Sequence, residues 1–174
     1  MVLVAKKKAF EVEIPIIDQS IQVLATNQDA LIGRVIKLDL TRILKGKNID
    51  ANIIIKKEGE KLVGEFTAIN LLPSFIRRMI RKNISYIEDS FIAQGKEGKI
   101  IIKPYMLTRK RIHAIVRRAL RNKAKEVILD AVKDQDNREI FFSILNGSLQ
   151  KVISINLKKI YPLSFMEIRV AKLK

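Results

Sequence analysis

The chain has 174 residues, 48% of them apolar, and its 34 Lys and Arg against 18 Asp and Glu give a formal net charge of +16. This length suits one domain, and the apolar fraction is large enough for a hydrophobic core, which excludes a disordered basic tail. The charge indicates a strongly negative partner, for which nucleic acid and an anionic membrane are the usual candidates. A basic protein kept soluble by its charge is the simpler alternative.

The residue types that the sequence lacks exclude further classes. It contains no cysteine, which excludes disulfides, thiolate catalysis and cysteine-based zinc sites. No apolar run approaches the length of about 18 residues that a membrane span needs. A short apolar stretch at the N-terminus precedes a run of lysines, which is the reverse of the order in a signal peptide. We therefore expect a cytoplasmic protein with no membrane partner.

The first half of the chain is predicted to form mainly strands. Apolar and acidic residues alternate over 10–14, and Pro15 ends the run. Further strands are predicted over residues 21–25, 31–40, 50–57 and 61–69. The last two flank a hairpin turn at 58–60, in which Gly59 takes the left-handed conformation.

A short helix is predicted over residues 73–82, beginning at Pro73 or Ser74. Its apolar residues face inward: Ile76, Met79 and Ile80. Its basic residues face outward: Arg77, Arg78, Arg81 and Lys82. They form two rows of residues four apart, and like charges at that spacing repel one another on a helix, so stability does not explain this arrangement.

A pair of strands is predicted over 86–93 and 100–106, around a turn at 94–98. Within the turn, Gly95-Lys96-Glu97-Gly98 matches the phosphate-clamping loop of a KH domain, but that loop joins two helices and this one joins strands. We therefore interpret it as a turn. The aromatic-rich strand of an RRM domain is absent, so we do not expect bases to stack on an exposed aromatic sheet.

The segment from Gly98 to Lys125 has 28 residues with ten Lys and Arg and no Asp or Glu. Within it a helix is predicted from Arg109 to about Lys133, with Thr108 as its N-cap. Its predicted apolar stripe is Ile112, Ile115, Val116, Ala119, Ala124, Val127 and Ile128. Cations in the first turn oppose the helix dipole, whereas a bound polyanion would favour them.

Two further helices are predicted over 137–146 and 148–160, separated by Gly147 as a C-cap. After them, residues 166–170 alternate in a strand that returns to the earlier sheet. The predicted fold class is α+β: a β-barrel-like N-terminal sheet with one inserted helix, a basic long helix, two shorter helices and a returning C-terminal strand. We expect a single compact domain that is strand-rich over 9–106, helical over 108–160 and ends in a strand over 165–173.

The sequence offers no constellation of catalytic residues. His113 is the only histidine, and no cysteine or second histidine could share a metal with it. A packing or phosphate-facing role is expected for it instead. Phosphate-binding glycine loops, dinucleotide signatures and clustered carboxylates are also missing. We therefore expect no enzyme, no cofactor, no metal site and no small-molecule substrate.

Basic patches on a folded protein with few exposed stacking groups suit the backbone of structured RNA. Two alternatives stay open, namely a free RNA-binding factor or chaperone acting on ribosomal or transfer RNA, and an RNA-modifying enzyme with an unrecognised site. The residues expected to bind RNA are Lys6, Lys7, Lys8, Arg77, Arg78, Arg81, Lys82, Arg109, Lys110, Arg111, Arg117, Arg118, Arg121, Lys123 and Lys125.

Three segments, in order along the chain, carry a resemblance to a known family. They are residues 31–40 with their Gly-Arg-Val, Thr108-Arg109-Lys110-Arg111, and Ile160-Tyr161-Pro162-Leu163 followed by the alternating strand 166–174. On these segments the chain resembles, over nearly its whole length, the S3Ae type of small-subunit ribosomal protein of archaea and eukaryotes. It differs where the family has Trp-Tyr and Leu-Thr-Arg-Asp, in place of which stand Ala9-Phe10 and Leu71-Leu72-Pro73-Ser74.

The resemblance implies a structural component of the small ribosomal subunit, bound to its ribosomal RNA on the platform near the messenger exit and next to other platform proteins. It also implies a barrel-like N-terminal part followed by helices. By position, residues 109–111, 117, 118 and 121 match the family's basic helix, and residues 6–8 match its basic lead-in. Eukaryotic members carry basic tails that this chain lacks, so we expect an archaeal source.

Overall fold

Alternating apolar and polar residues form most of the strands, and apolar stripes at helical spacing form the helices. The computed structural model describes residues 7–44, 46–59 and 61–174. The strands are β1 (Lys8–Ile14), β2 (Gln19–Ala25), β3 (Val35–Asp39), β4 (Ile49–Glu58), β5 (Lys61–Leu71), β6 (Tyr86–Glu88), β7 (Phe91–Gln94), β8 (Lys99–Thr108) and β9 (Leu163–Leu173). The helices are α1 (Pro73–Met79), α2 (Ala114–Lys133), α3 (Asn137–Asn146) and α4 (Ser148–Lys158). The α+β fold class is thus confirmed.

Strand β5 lies at the centre of the sheet because it pairs with three other strands. On one edge it pairs antiparallel with β4 through the predicted hairpin, in which Gly59 has a φ of +64°. Glu60, the third residue of the predicted turn, lies outside the described residues. On the other edge, β1 pairs parallel with the beginning of β5 and β9 pairs antiparallel with its end. The sheet therefore divides at β5.

The first branch of the sheet curves into a barrel-like unit in the order β2–β1–β5–β4–β3. Its interior is a small cluster of buried side chains: Val12, Ala25, Leu31, Ile55 and Leu62. Strands β2 and β3 line opposite sides of one groove, and no hydrogen-bonded ladder joins them in the part of the chain described. The predicted barrel is therefore open at this seam.

The second branch carries the helices. Strand β8 pairs with β9 on one edge and with β6 and β7 on the other. Helix α2 packs against β7 and α4, and α4 also packs against β9. The α2 side chains in this core are four residues apart: Leu120, Ala124, Ile128 and Val132 are fully buried. One continuous hydrophobic cluster joins the three long helices to the sheet.

The basic helix begins five residues later than predicted. Thr108 is the last residue of β8 rather than an N-cap, and the residue preceding the helix is His113. The hydroxyl of Thr108 accepts from the distant Ser85 N–H and donates to the Lys110 carbonyl at 2.6 Å, so it does not accept from the first turn of a helix as an N-cap would. The apolar stripe predicted for this helix is also wrong at Ile115, which is 83% exposed, and at Ala119, which is exposed while the adjacent Leu120 is fully buried. Tertiary hydrogen bonds have overridden the local capping signal.

Other predicted elements differ in extent. The strand predicted over 31–40 is shorter, because residues 29–31 form a 3-10 turn and β3 begins only at Val35. Helix α1 ends at Met79, and Ile80 is 45% exposed in extended backbone, so the predicted inward position of Ile80 is wrong. The strand predicted over 86–93 is interrupted between β6 and β7, where the Ser90 N–H donates to the Asp89 carboxylate at 2.8 Å. Such a local side-chain bond competes with the strand ladder.

The C-terminal part follows its prediction closely. Helix α3 begins with a capping box between Asp136 and Glu139, and Gly147 ends it with a φ of +79°. Helix α4 ends at Lys158, two residues before the predicted end. Strand β9 returns to the earlier sheet and pairs with β5 and β8, as predicted.

Candidate nucleic-acid interface

A buried joint between Ser85 and Thr108 brings two basic stretches of the chain together. Both residues are buried, and the Ser85 N–H donates to the Thr108 hydroxyl at 3.0 Å while the Thr108 N–H donates to the Ser85 carbonyl at 3.0 Å. The Ile112 N–H then donates to the Ser85 hydroxyl at 3.1 Å. The basic residues between Thr108 and Ile112 are thereby held in a non-helical connection that is fixed at both ends.

This joint creates a cleft of about 480 Å³ beside the start of α2. Arg111 enters it from the connection, and Arg117 and Arg121 enter it from successive turns of α2. Residues that precede or belong to β6 form the rest of its lining: Asn83, Ile84, Ser85, Tyr86 and Glu88. We call this site the arginine cleft. It joins residues that are far apart in sequence.

The positive charge of the arginine cleft has little to balance it. Among the described residues, no carboxylate forms an ion pair with Arg111, Arg117 or Arg121. Glu88 is the one acidic side chain in the lining, and both of its oxygens accept hydrogen bonds from the Arg169 guanidinium at 2.9 Å. The three cleft arginines are therefore available to an external anion.

The buried hydroxyl of Tyr105 lies near Glu88 of the cleft lining and adds no charge there. Tyr105 pairs with Glu88 across β6 and β8. Burial raises the pKa of Tyr105 to about 12, and the nearby Glu88 carboxylate adds to the rise. The phenol stays neutral at physiological pH, so the arginines dominate the field in the cleft.

The other basic residues predicted in this region are exposed around the start of α2. Arg109, Lys110, Arg118 and Lys125 have no ion pair within the described ranges. Lys123 differs, because its ammonium pairs with the Glu126 carboxylate at 2.8 Å. Arg109, Lys110 and Arg111 precede the helix instead of lying in its first turn, so the predicted conflict between these three cations and the helix dipole does not arise.

The basic residues of the first helix lie along the chain just before the cleft. Arg77 and Arg78 belong to the last turn of α1, where cations suit the helix dipole, and the Arg78 guanidinium lies 5.7 Å from the centre of the Phe75 ring. Arg81 and Lys82 follow the helix and are exposed. The two predicted helical rows of cations are therefore not formed. Lys82 immediately precedes Asn83 of the cleft lining.

The N-terminal lysines lie in a different part of the fold. Lys7 lines the groove between β2 and β3, together with Arg34 and Lys37, and Lys8 is exposed on β1. Lys37 is already paired with Asp50 at 2.6 Å. Lys6 lies outside the described residues. The groove and the arginine cleft share no lining residue, so Lys7 lies on a different surface from the cleft arginines.

No metal-binding constellation is found among the described residues, because no three His, Asp or Glu side chains come together. His113 is exposed and makes no side-chain hydrogen bond to cap α2. Within the same residues no single helix is long and apolar enough to cross a membrane. Helices α3 and α4 reach that length only as a pair bent by 69°.

Tyr86 and Asn83 are among the cleft residues that reasoning from the sequence missed. Tyr86 is 59% exposed on the outer face of β6, and Asn83 has a φ of +64°. A tyrosine at an outward position of a short strand beside a basic segment was the available signal for Tyr86. No local pattern marks Asn83, since its place in the cleft depends on the joint with Thr108.

The fold and the cleft define a basic α+β protein with an uncompensated cationic surface. Residues 4–174 match the Ribosomal S3Ae family, and the chain belongs to that family. This confirms the resemblance seen in the sequence. The family is one of ribosomal proteins and is not known as an enzyme family.

Several archaeal proteins are similar to the chain, and each is named small ribosomal subunit protein eS1. The protein of Nanoarchaeum equitans is 25% identical over 172 residues, which cover 94% of this chain and 87% of the relative. The protein of Methanobrevibacter smithii is 26% identical over a region that covers 85% of this chain and 79% of the relative. That of Saccharolobus islandicus is 28% identical over 68% of this chain and 58% of the relative. These archaeal relatives agree with the expected archaeal source.

Proposed function

We propose that the protein is a structural constituent of the small ribosomal subunit that binds ribosomal RNA on the subunit platform through its basic surfaces. The observation that carries the proposal is the convergence of Arg111, Arg117 and Arg121 in one cleft without an ionic partner among the described residues. Uncompensated cations on a folded surface are costly unless a polyanion neutralises them. Membership of a ribosomal protein family supports RNA as that polyanion.

The relatives support the small subunit as the site of assembly, and the sequence resemblance supports the platform within it. The named relatives are proteins of the small ribosomal subunit. We propose neighbouring platform proteins as further partners, a ribosome-associated location in the cytoplasm and a role for the chain as a single domain. Exposed apolar side chains on α3 and α4, among them Phe142 and Ile155, are available for protein contacts.

Sedimentation of native extract distinguishes this proposal from a free RNA-binding factor or chaperone. A structural constituent co-migrates with small subunits and stays with them through a moderate-salt wash. A free factor leaves the subunits at modest salt and is then recovered in the soluble fractions, which would contradict the proposal.

The salt dependence of binding tests the proposed mechanism with purified protein and a fragment of platform ribosomal RNA. Each phosphate that a cation neutralises releases counterions, so log K falls by about 0.7–0.9 per contact against log salt. We expect a slope that corresponds to at least roughly five contacts. A nearly flat salt dependence would show that phosphate contacts do not supply the affinity.

A further inference from the structure

The arginine cleft contains an aromatic side chain, which binding to phosphate alone would not require. Tyr86 is 59% exposed and lines the cleft beside the arginines. It lies on the outward face of β6, between Ser85 and Ile87, whose side chains are buried. The volume of about 480 Å³ falls within the range of about 300–1,000 Å³ that is usual for sites of small molecules.

The polar groups of the cleft suit a nucleotide better than a free anion. Three guanidinium groups supply donors for phosphate oxygens, and the one carboxylate in the lining, that of Glu88, is occupied by Arg169. Asn83 brings a side-chain amide, which both donates and accepts hydrogen bonds, to the same lining. Cations, an aromatic ring and an amide are the groups by which proteins hold unpaired nucleotides.

We propose that the arginine cleft binds a single unpaired nucleotide of the RNA, such as a bulged one. Its phosphate lies on Arg111, Arg117 and Arg121, and its base stacks on the ring of Tyr86. A fully paired helix presents phosphates but keeps its bases stacked inside, so it would leave Tyr86 without a partner. This inference rests on the proposed function, because it names the part of the RNA that the same surface takes.

The test compares two RNA hairpins that are identical except that one is fully paired and the other carries one additional, bulged adenosine. Base stacking on an aromatic side chain changes affinity by roughly 1–3 kcal/mol, so we expect the parent protein to bind the bulged hairpin about tenfold more tightly. Tyr86→Phe keeps the ring and the preference, whereas Tyr86→Ser binds the two hairpins equally. Phe142→Ser, which removes an exposed aromatic ring on α3, keeps the preference.

A second measurement, photochemical cross-linking, tests whether the base lies against Tyr86. With 5-iodouridine at the bulge, irradiation cross-links the stacked base to an aromatic ring, and the adduct maps to the peptide that contains Tyr86. Equal affinity of the parent protein for both hairpins, or an adduct unchanged by Tyr86→Ser, would overturn the nucleotide site and leave RNA binding intact. Failure to bind either hairpin at moderate salt would overturn the proposed function together with it.

Discussion

Two regions of the molecule carry clustered positive charge, and they differ in what balances it. Near the start of α3, the Arg138 guanidinium bonds Glu58 at 3.1 Å and Glu65 at 3.0 Å, and the Lys56 ammonium pairs with Glu65 at 2.6 Å. We call these four residues the paired cluster. In the arginine cleft, at the start of α2, no carboxylate of the described chain pairs with the three arginines.

This comparison shows that the number of cations on a surface does not identify the interface. The presence or absence of carboxylate partners for those cations does. Arg138 and Lys56 each carry one positive charge, as each cleft arginine does, yet their charge joins β4 and β5 to α3. Each such half-exposed pair contributes roughly 0–1 kcal/mol to folding. The cleft arginines make no comparable contribution to folding, so their side-chain conformations and their charges are available to a ligand.

The largest effect on stability is expected when a substitution on the buried face of α2 is compared with one on its exposed face. Leu120 is fully buried and Ile115 is 83% exposed, although the two lie little more than one turn apart. Leu120→Asp buries a charge without a partner and should abolish folding. Ile115→Asp should change the free energy of unfolding by less than about 0.5 kcal/mol. Denaturant titrations measure both, and unfolding of the Ile115 variant would show that this residue packs in a core.

A smaller effect is expected at the joint that forms the arginine cleft. Thr108→Val keeps the shape of the side chain but removes the hydroxyl that accepts from Ser85 and donates to the Lys110 carbonyl at 2.6 Å. Because a buried N–H loses its acceptor, we expect a loss of about 1–3 kcal/mol in unfolding free energy. Thr41→Val, which removes the exposed hydrogen bond from the Thr41 hydroxyl to the Asp39 carboxylate, is the control. Equal losses in both variants would show that the joint has no special role.

The smallest effect is expected in the paired cluster and depends on pH. Burial would raise the pKa of Glu65, but hydrogen bonds from Lys56 and Arg138 lower that pKa below its ordinary value of 4.5. The stabilisation from this carboxylate is therefore present above pH 4.5 and is lost as the pH falls through the lowered pKa. Glu65→Gln should flatten the fall of stability below pH 4.5, measured by urea unfolding.

The control for this pH dependence is Glu97→Gln, which removes an exposed carboxylate that has no ion pair in the described part of the chain. An acid dependence of the Glu65 variant as steep as that of the parent would mean that the paired cluster does not hold its charges together in solution.

Much of the fold could be predicted because its signals are local. Alternation identified β1 and β9, and Gly59 and Gly147 marked a hairpin and a helix end that need positive φ. The start of α2 could not be predicted, since Thr108 is a good N-cap in isolation and its bond with Ser85 spans 23 residues. The strand order around β5 likewise depends on long-range pairing, which no local pattern contains.

The sequence could predict which charged residues belong to the candidate site, but not how they are arranged in space. A stretch of 28 residues without Asp or Glu identified the basic segment that contains Arg111, Arg117 and Arg121. The sequence could not show that Tyr86 and Asn83 lie beside these arginines, because the joint between Ser85 and Thr108 brings them together. The roles of all these residues in RNA binding stay predictions.

The central claim is tested most directly by removing three positive charges from the arginine cleft, or three ion-paired positive charges elsewhere, and comparing RNA affinity with stability. One variant replaces Arg111, Arg117 and Arg121 with Gln, and the matched control replaces Lys56, Lys96 and Arg138, which are ion-paired, with Gln. The cleft variant should unfold as the parent does, since Gln has nearly the helix propensity of Arg. Its RNA affinity should drop, and its salt slope should flatten by about two to three contacts.

The control variant should show the reverse. It should lose about 1–2 kcal/mol of unfolding free energy with the loss of its ion pairs, and its salt slope should change by less than about one contact. If instead the cleft variant melts far below the parent while the two variants bind RNA equally, the cleft arginines stabilise the fold. The start of α2 would then not be the RNA-binding surface.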